Sequence, residues 1–415
     1  MSPELPQEVP EELSPAGATA SARATPSRAP ARQVLAFKFG GSSLLGAKRM
    51  LHAAGLVRES AKTCAVVVVV SAMKGVTDGL LAIAASRAAG RGNDVLREAE
   101  KLLYFHFDVL RELRLDPFAA ESVARDLRLL GKDLFHDAFE NTGMPTLSQE
   151  ALHDRLASYG ERFSARLFAA ALRKLGVRSV PVSSSEFVLT CDTFRDAQPQ
   201  LDETRRRGRE ILLPLFADGL VPVVTGFIGS TSDGRVTTLG RNSSDFSGAL
   251  VAHVVDADEL VIWTDVDGIY TANPRESAEA RLLHELSYDQ AHALAAAGAK
   301  VLHAKVLPLA AENEMVVWVR NTFNPLHRGT RIGPPLAGCA SAAEPNLTWN
   351  SERRESAQGD ERSRSKSPTL REIASAAGNA HQQAALGVTA ATFSTNDPVV
   401  SASRGCHNSN SRGAK

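Results

Sequence analysis

The chain has 415 residues, with 47 basic and 47 acidic side chains and no formal net charge, so it is long enough for one large α/β domain or two ordinary ones. That balance lacks the basic face of a general nucleic-acid binder and gives no support for docking on an anionic membrane, so neither partner is expected. No apolar run approaches the roughly 20 residues that span a bilayer, no secretory pattern opens the chain, and the four scattered cysteines, Cys64, Cys191, Cys339 and Cys406, point to a reduced cytoplasmic setting.

Residues 1–32 are rich in Pro, Ala, Ser, Glu and Arg and nearly free of large apolar side chains. Such a segment buries too little surface to offset its ordering entropy, and it reads as a disordered extension. Glu4, Glu8, Glu11 and Glu12 argue against an acidic-poor transit peptide. Order begins at Val34. VLAFKF reads as a strand, GGSS as a turn, and Met50, Ala54 and Val57 follow at helical spacing. The β-branched run AVVVVVSA (65–72) suits a strand covered on both faces. A helix is expected from about Val76 to Ala89, and residues 95–175 read as mostly helical up to a stop at Gly176. VRSVPVSS is a short strand, GREILLPLFADG a helix, and LVPVVTGFIG the next strand. Alternation continues through ELVIWTDV to WVRNT near residue 322. This order predicts parallel strands with crossover helices, an α/β fold. After Gly333 the sequence is polar and aperiodic and reads as disordered, with a helix from about Leu370 to Ala385 as its one regular element.

The chemistry collects at the predicted strand ends, where open α/β sheets bind ligands. Lys38 precedes Gly40 and Gly41. Glycines admit close backbone approach and a lysine there suits a phosphate, although the same pattern also fits an ordinary β-turn. The Walker A spacing is absent. Ser71 and Thr77 can hydrogen-bond a substrate or cap the next helix. Glu161, after Gly160 at a helix start, is either a dipole partner or the counter-ion for a substrate ammonium. Arg241 and Asp245 flank NSS in a Gly/Ser loop. The arginine can grip a carboxylate through two nitrogens, and the aspartate can orient a lysine or a metal-bound ligand. TDVDGIYT supplies Thr264, Asp265 and Tyr270 as nucleotide contacts, while Asp267 fits an Asp-Gly turn. Arg275 and Lys300 are further phosphate candidates.

Together these pieces resemble aspartate kinase (aspartokinase), of the amino acid kinase family. The resemblance runs from KFGGSS through VVSAMKGVTD, SYGERFSARL, VTGFIGSTSDGRVTTLGRNSSDFSGALVA and IWTDVDGIYTANPR to GAKVLH and RNTFNPLHRGTRIG. It spans about residues 34–333, and its flavour is that of the kinase portion of bifunctional aspartokinase–homoserine dehydrogenases. It implies a three-layer αβα sandwich with a mostly parallel central sheet, in a catalytic domain over 33–333. The implied reaction transfers the γ-phosphoryl group of ATP to the β-carboxylate of L-aspartate. By the same resemblance Lys38 and Asp245 are catalytic, and Ser71, Thr77, Glu161 and Arg241 bind aspartate. Gly40, Gly41, Ser42, Thr264, Asp265, Tyr270, Arg275 and Lys300 hold the nucleotide. Mg2+ is expected on phosphate oxygens and water, with no direct protein cage.

Three positions depart from the family pattern: Ser243 where glycine is usual, Ala304 for proline, and Asn273 for aspartate. A Cβ at position 243 is expected to crowd substrate or to demand a backbone that favours glycine. Residues 334–415 lack the strand pattern of regulatory ACT domains. The expectation is therefore a kinase without built-in feedback, with a homo-oligomer left open. The competing readings are a kinase of the same superfamily acting on acetylglutamate, glutamate, carbamate or UMP, and a catalytically impaired binding or regulatory homologue.

Overall fold

The computed structural model describes residues 32–139, 148–272, 274, 277, 279–296, 302–303 and 305–335, all within one compact unit. The expected N-terminal extension, apart from Arg32, and the helix expected near 370–385 lie outside the described residues. So do Asn273, Arg275, Lys300 and Ala304.

The elements alternate as the sequence predicts. They begin with β1 (Val34–Phe39), α1 (Gly46–Ala61), β2 (Ala65–Val70) and α2 (Val76–Ala88). Four helices follow or complete the next stretch: α3 (Gly92–Leu113), α4 (Pro117–Phe139), α5 (Gln149–Ala157) and α6 (Tyr159–Lys174). Next come β3 (Ser179–Val182), α7 (Leu201–Ala217), β4 (Val221–Thr225), β5 (Ile228–Ser230), β6 (Val236–Thr238) and α8 (Ser244–Val254). The last part holds β7 (Glu259–Thr264), β8 (Ile269–Tyr270), β9 (Leu282–Leu283), β10 (Glu285–Leu286), α9 (Tyr288–Ala296), α10 (Val306–Glu312), β11 (Val316–Asn321) and β12 (Thr330–Ile332).

Eight strands form the central sheet in the order β10-β12-β11-β7-β1-β2-β4-β3. Every pairing is parallel except β11 with β12. The valine run of β2 sits near its middle because it has apolar side chains for both faces. Val66, Val68 and Val70 join the core on one side, with α1, α3, α4 and α6. Val67 and Val69 join the other, with α7, α8, α9 and α10. Burying each valine is worth roughly 1.5–3 kcal/mol, so an edge position would leave much of that gain unrealised. The period-two split of one strand between two cores produces the three-layer αβα sandwich.

One predicted element divides. LVPVVTGFIG was expected as a single strand, but β4 stops at Thr225 and β5 leaves the main sheet to pair with β6. The break falls at Gly226 and Phe227, where Phe227 has φ +67. A Cβ on Gly226 would stand 3.1 Å from the Val70 carbonyl. The chain therefore turns out of the sheet where β2 ends.

The connection from β4 through α8 to β7 carries the chain past β2 and β1 to the far side of β1. Neighbouring connections thus diverge around β1, and a crevice opens at the carboxyl ends of these strands.

Candidate active site

A cavity of about 760 Å³ occupies that crevice. Lys38 enters it from β1, near the strand's end, and is 7% exposed. Its Nζ lies 2.6 Å from Oδ1 of Asp245, in the first turn of α8. Gly248 makes this pairing reachable: a Cβ there would be 3.1 Å from Cβ of Lys38, so the helix packs directly against the lysine stem. Asp245 lies one turn earlier, on the same side of α8.

The loop after β1 packs on the loop after β2. A Cβ on Gly41 would sit 2.5 Å from the Ala72 carbonyl, and one on Gly40 would sit 3.6 Å from Lys38 Nζ. Both glycines line the cavity. The Ser71 hydroxyl donates to Ser244 Oγ across the cavity wall at 2.8 Å. Thr77 also lines the cavity, and no side chain caps α2. Neither hydroxyl is consumed as the cap that the sequence left open.

Glu161 reaches the cavity from α6 because Gly160 lets the helix start against Ala72, where a Cβ would meet the alanine methyl at 2.6 Å. One carboxylate oxygen accepts from the Ala72 amide at 3.0 Å. The other is buried with no partner among the described residues. Burial pushes the Glu161 carboxyl up to about 8; the Ala72 amide, its own amide and the Lys38 charge oppose this only in part. Such a group is poised to receive a cation. Arg241 stands at the mouth, with its side chain 77% exposed and a 3.4 Å contact to Asp78.

The backbone at position 243 corrects half of one expectation, the need for a glycine conformation. Ser243 has φ −78 and is an ordinary residue at the start of α8. The left-handed geometry falls instead on Gly240 (φ +97) and Asn242 (φ +62), and asparagine tolerates it. Ser243 is fully buried in the cavity wall, and its hydroxyl has no partner among the described residues.

Four of the expected nucleotide residues, Ser42, Thr264, Asp265 and Tyr270, separate from this group. Thr264 and Asp265 lie at and just beyond the end of β7, and Tyr270 lies on β8; none of them lines the cavity. They adjoin it across β1, where the Gly40 amide donates to the Trp263 carbonyl at 3.3 Å. Ser42 also stands outside the wall. Its carbonyl accepts from Arg49, and the neighbouring Ser43 makes the buried contact, to Thr322 at 2.7 Å. Asp267 accepts from the amides of Asn321 and Asn324, the structural alternative for that residue. Sequence reasoning missed Asp78, His153, Arg195 and Ser244, which all line the cavity. Asp78 and Ser244 fall inside the motif segments VVSAMKGVTD and RNSSD, whereas the local sequence of His153 and Arg195 carries no signal, because their neighbours in the wall come from distant segments.

The amino acid kinase family model matches residues 33–321. The chain belongs to the amino acid kinase family. Among family relatives, it is 33% identical over 309 residues to lysine-sensitive aspartokinase 3 of Escherichia coli (strain K12), covering 73% of this chain and 66% of that protein. It is 33% identical over 302 residues to aspartokinase 1, chloroplastic, of Arabidopsis thaliana, covering 71% and 51%. The chain thus spans between about half and two thirds of these relatives' length. Its fold matches the crystal structure of E. coli aspartokinase III in complex with aspartate and ADP (R-state). The TM-score is 0.63 at 32% identity, with 72% of this chain and 64% of that one covered. No helix among the described residues is long and apolar enough to cross a membrane.

Proposed function

We propose that the chain is an aspartate kinase, transferring the γ-phosphoryl group of ATP to the β-carboxylate of L-aspartate to give 4-phospho-L-aspartate and ADP. The observation that carries this reading is the cavity's charge pattern: a lysine–aspartate pair, a buried carboxylate with an open oxygen, and an arginine at the mouth. That set complements a free amino acid bearing a second carboxylate. The likeness to a structure holding aspartate and ADP supports the same reading.

The β-carboxylate is ionised at neutral pH, so an oxygen of it attacks the γ-phosphorus without a protein base. The bond to the ADP oxygen breaks as the acyl phosphate bond forms. Catalysis then rests on positioning and charge stabilisation. In this proposal Lys38 neutralises charge on the transferring group, beside the Gly40–Gly41 loop, and Asp245 holds the lysine in place. Glu161 takes the substrate ammonium, Arg241 its α-carboxylate, and Ser71 and Thr77 line the acceptor pocket. Thr264, Asp265 and Tyr270, with Arg275 and Lys300, hold the nucleotide. Magnesium arrives as part of the MgATP substrate, on phosphate oxygens and water. The proposal includes a catalytic domain over 33–333, a cytoplasmic setting, and self-association as an assembly to be measured.

Replacing Lys38 by Ala should lower kcat by about 10²–10³ in an assay of aspartate-dependent ADP release. Undiminished turnover would refute the assignment.

A further inference from the structure

Arg195 stands in the cavity wall with φ +72, in the left-handed region that favours glycine. A residue with a Cβ keeps such a backbone only where its surroundings over-determine it, and here they do. The Arg195 amide donates to Oδ2 of Asp154 at 2.8 Å. The same fully buried carboxylate accepts from the Thr238 amide at 2.7 Å and from its hydroxyl at 3.0 Å. Two residues on, the Ala197 amide donates to the Thr238 carbonyl at 2.9 Å. Between them, Asp196 pairs with Lys305 at 2.7 Å. The turn is thus tied to α5, to β6 and to the start of α10.

This anchoring engages the backbone of Arg195 but not its guanidinium. Among the described residues no hydrogen bond or ion pair takes that group up, and the residue is exposed. Of the cavity's other cations, Arg241 is in contact with Asp78 and Lys38 is held by Asp245, while Lys74 also lines the wall but is a point charge without a planar fork. A strained backbone therefore presents an uncommitted planar cation at a cavity wall, the geometry that suits two-pronged capture of a carboxylate.

The geometry points to Arg195 as a specificity-determining residue that, with Arg241, grips the α-carboxylate of the acceptor amino acid. The inference rests on the aspartate reading of the cavity and names a second residue for its carboxylate end. A charge-assisted pair explains why a strained arginine occupies the turn when glycine would fit without strain.

Calorimetric titration of the full chain with L-aspartate and with β-alanine, which is aspartate without its α-carboxylate, tests it. Arg195→Gly and Arg195→Ala should each weaken aspartate binding by about ten- to a hundredfold and leave β-alanine binding and the KM for ATP unchanged. Arg195→Lys should recover part of the loss. Arg195→Gly should also raise the thermal midpoint by about 2 °C through relief of the backbone, whereas Arg195→Ala should not. Equal loss for both ligands, a changed KM for ATP with aspartate binding intact, or a lower midpoint for Arg195→Gly would overturn the inference. Aspartate bound through Arg195 without phosphoryl transfer would sink only the catalytic reading. Wild-type binding and turnover in Arg195→Gly would sink only this one.

Discussion

Glu161 carries a pH signature that follows from its burial. Its folded pKa is raised from 4.5 to about 8. Between those values the folded state binds more protons than the unfolded state. This contribution to stability is therefore fully present below 4.5 and is lost as pH rises toward 8. Substrate affinity has the opposite trend, because an ammonium prefers the ionised carboxylate. The KM for aspartate should fall as pH rises toward 8, and Glu161→Gln should bind aspartate weakly with that dependence flattened; a Gln variant with the wild-type profile would remove Glu161 from the pocket. Ser243 makes a second prediction at this scale. With φ −78 the position has no conformational need for glycine, so Ser243→Gly should leave kcat close to wild type in steady-state kinetics. A large gain would revive the reading of an impaired homologue. The concern over position 243 came from its departure from the family's usual glycine, and sequence does not show which residue of a loop takes the positive φ.

The elements that build the site were legible where periodicity was strong and illegible where partners were remote. The valines of β2 and the helical spacing of Met50, Ala54 and Val57 announced their elements, and all of these α1 positions are buried. The run after Leu220 read as one strand because apolar content says nothing about where Gly226 must clear the Val70 carbonyl. Asp154 was invisible for a similar reason: its partner Thr238 lies 84 residues away. The apposition of two strand-end loops yields a prediction at this scale. Gly41→Ala puts a Cβ 2.5 Å from the Ala72 carbonyl, a backbone collision that no rotamer relieves. It should cost about 1–3 kcal/mol of stability and raise the KM for aspartate, since Ala72 also holds Glu161. Denaturant unfolding with parallel kinetics checks both, and unchanged stability would contradict the close approach of the loops.

Across the whole molecule, alternation of strands and helices predicted parallel strands with crossover helices, while the two helical layers were implied by the family resemblance; the eight-stranded order and the two cores bear both out. The composition of the cavity was only partly readable. Lys38, Glu161 and Asp245 lie far apart in sequence and converge because β1, α6 and α8 all end or begin at the carboxyl edge of the sheet. Of the residues expected for the nucleotide, Gly40 and Gly41 line the cavity while Thr264 and Asp265 fall beside it across β1, which fits a donor and an acceptor approaching Lys38 from two sides. The central proposal is that this chain phosphorylates the β-carboxylate of L-aspartate. The most direct measurement is ADP release by the purified 415-residue chain with MgATP and, in turn, L-aspartate, acetylglutamate, glutamate, carbamate and UMP. The account predicts turnover with L-aspartate far above that with any other acceptor. Turnover with another acceptor but not with aspartate, or ATP binding without transfer to aspartate, would contradict it.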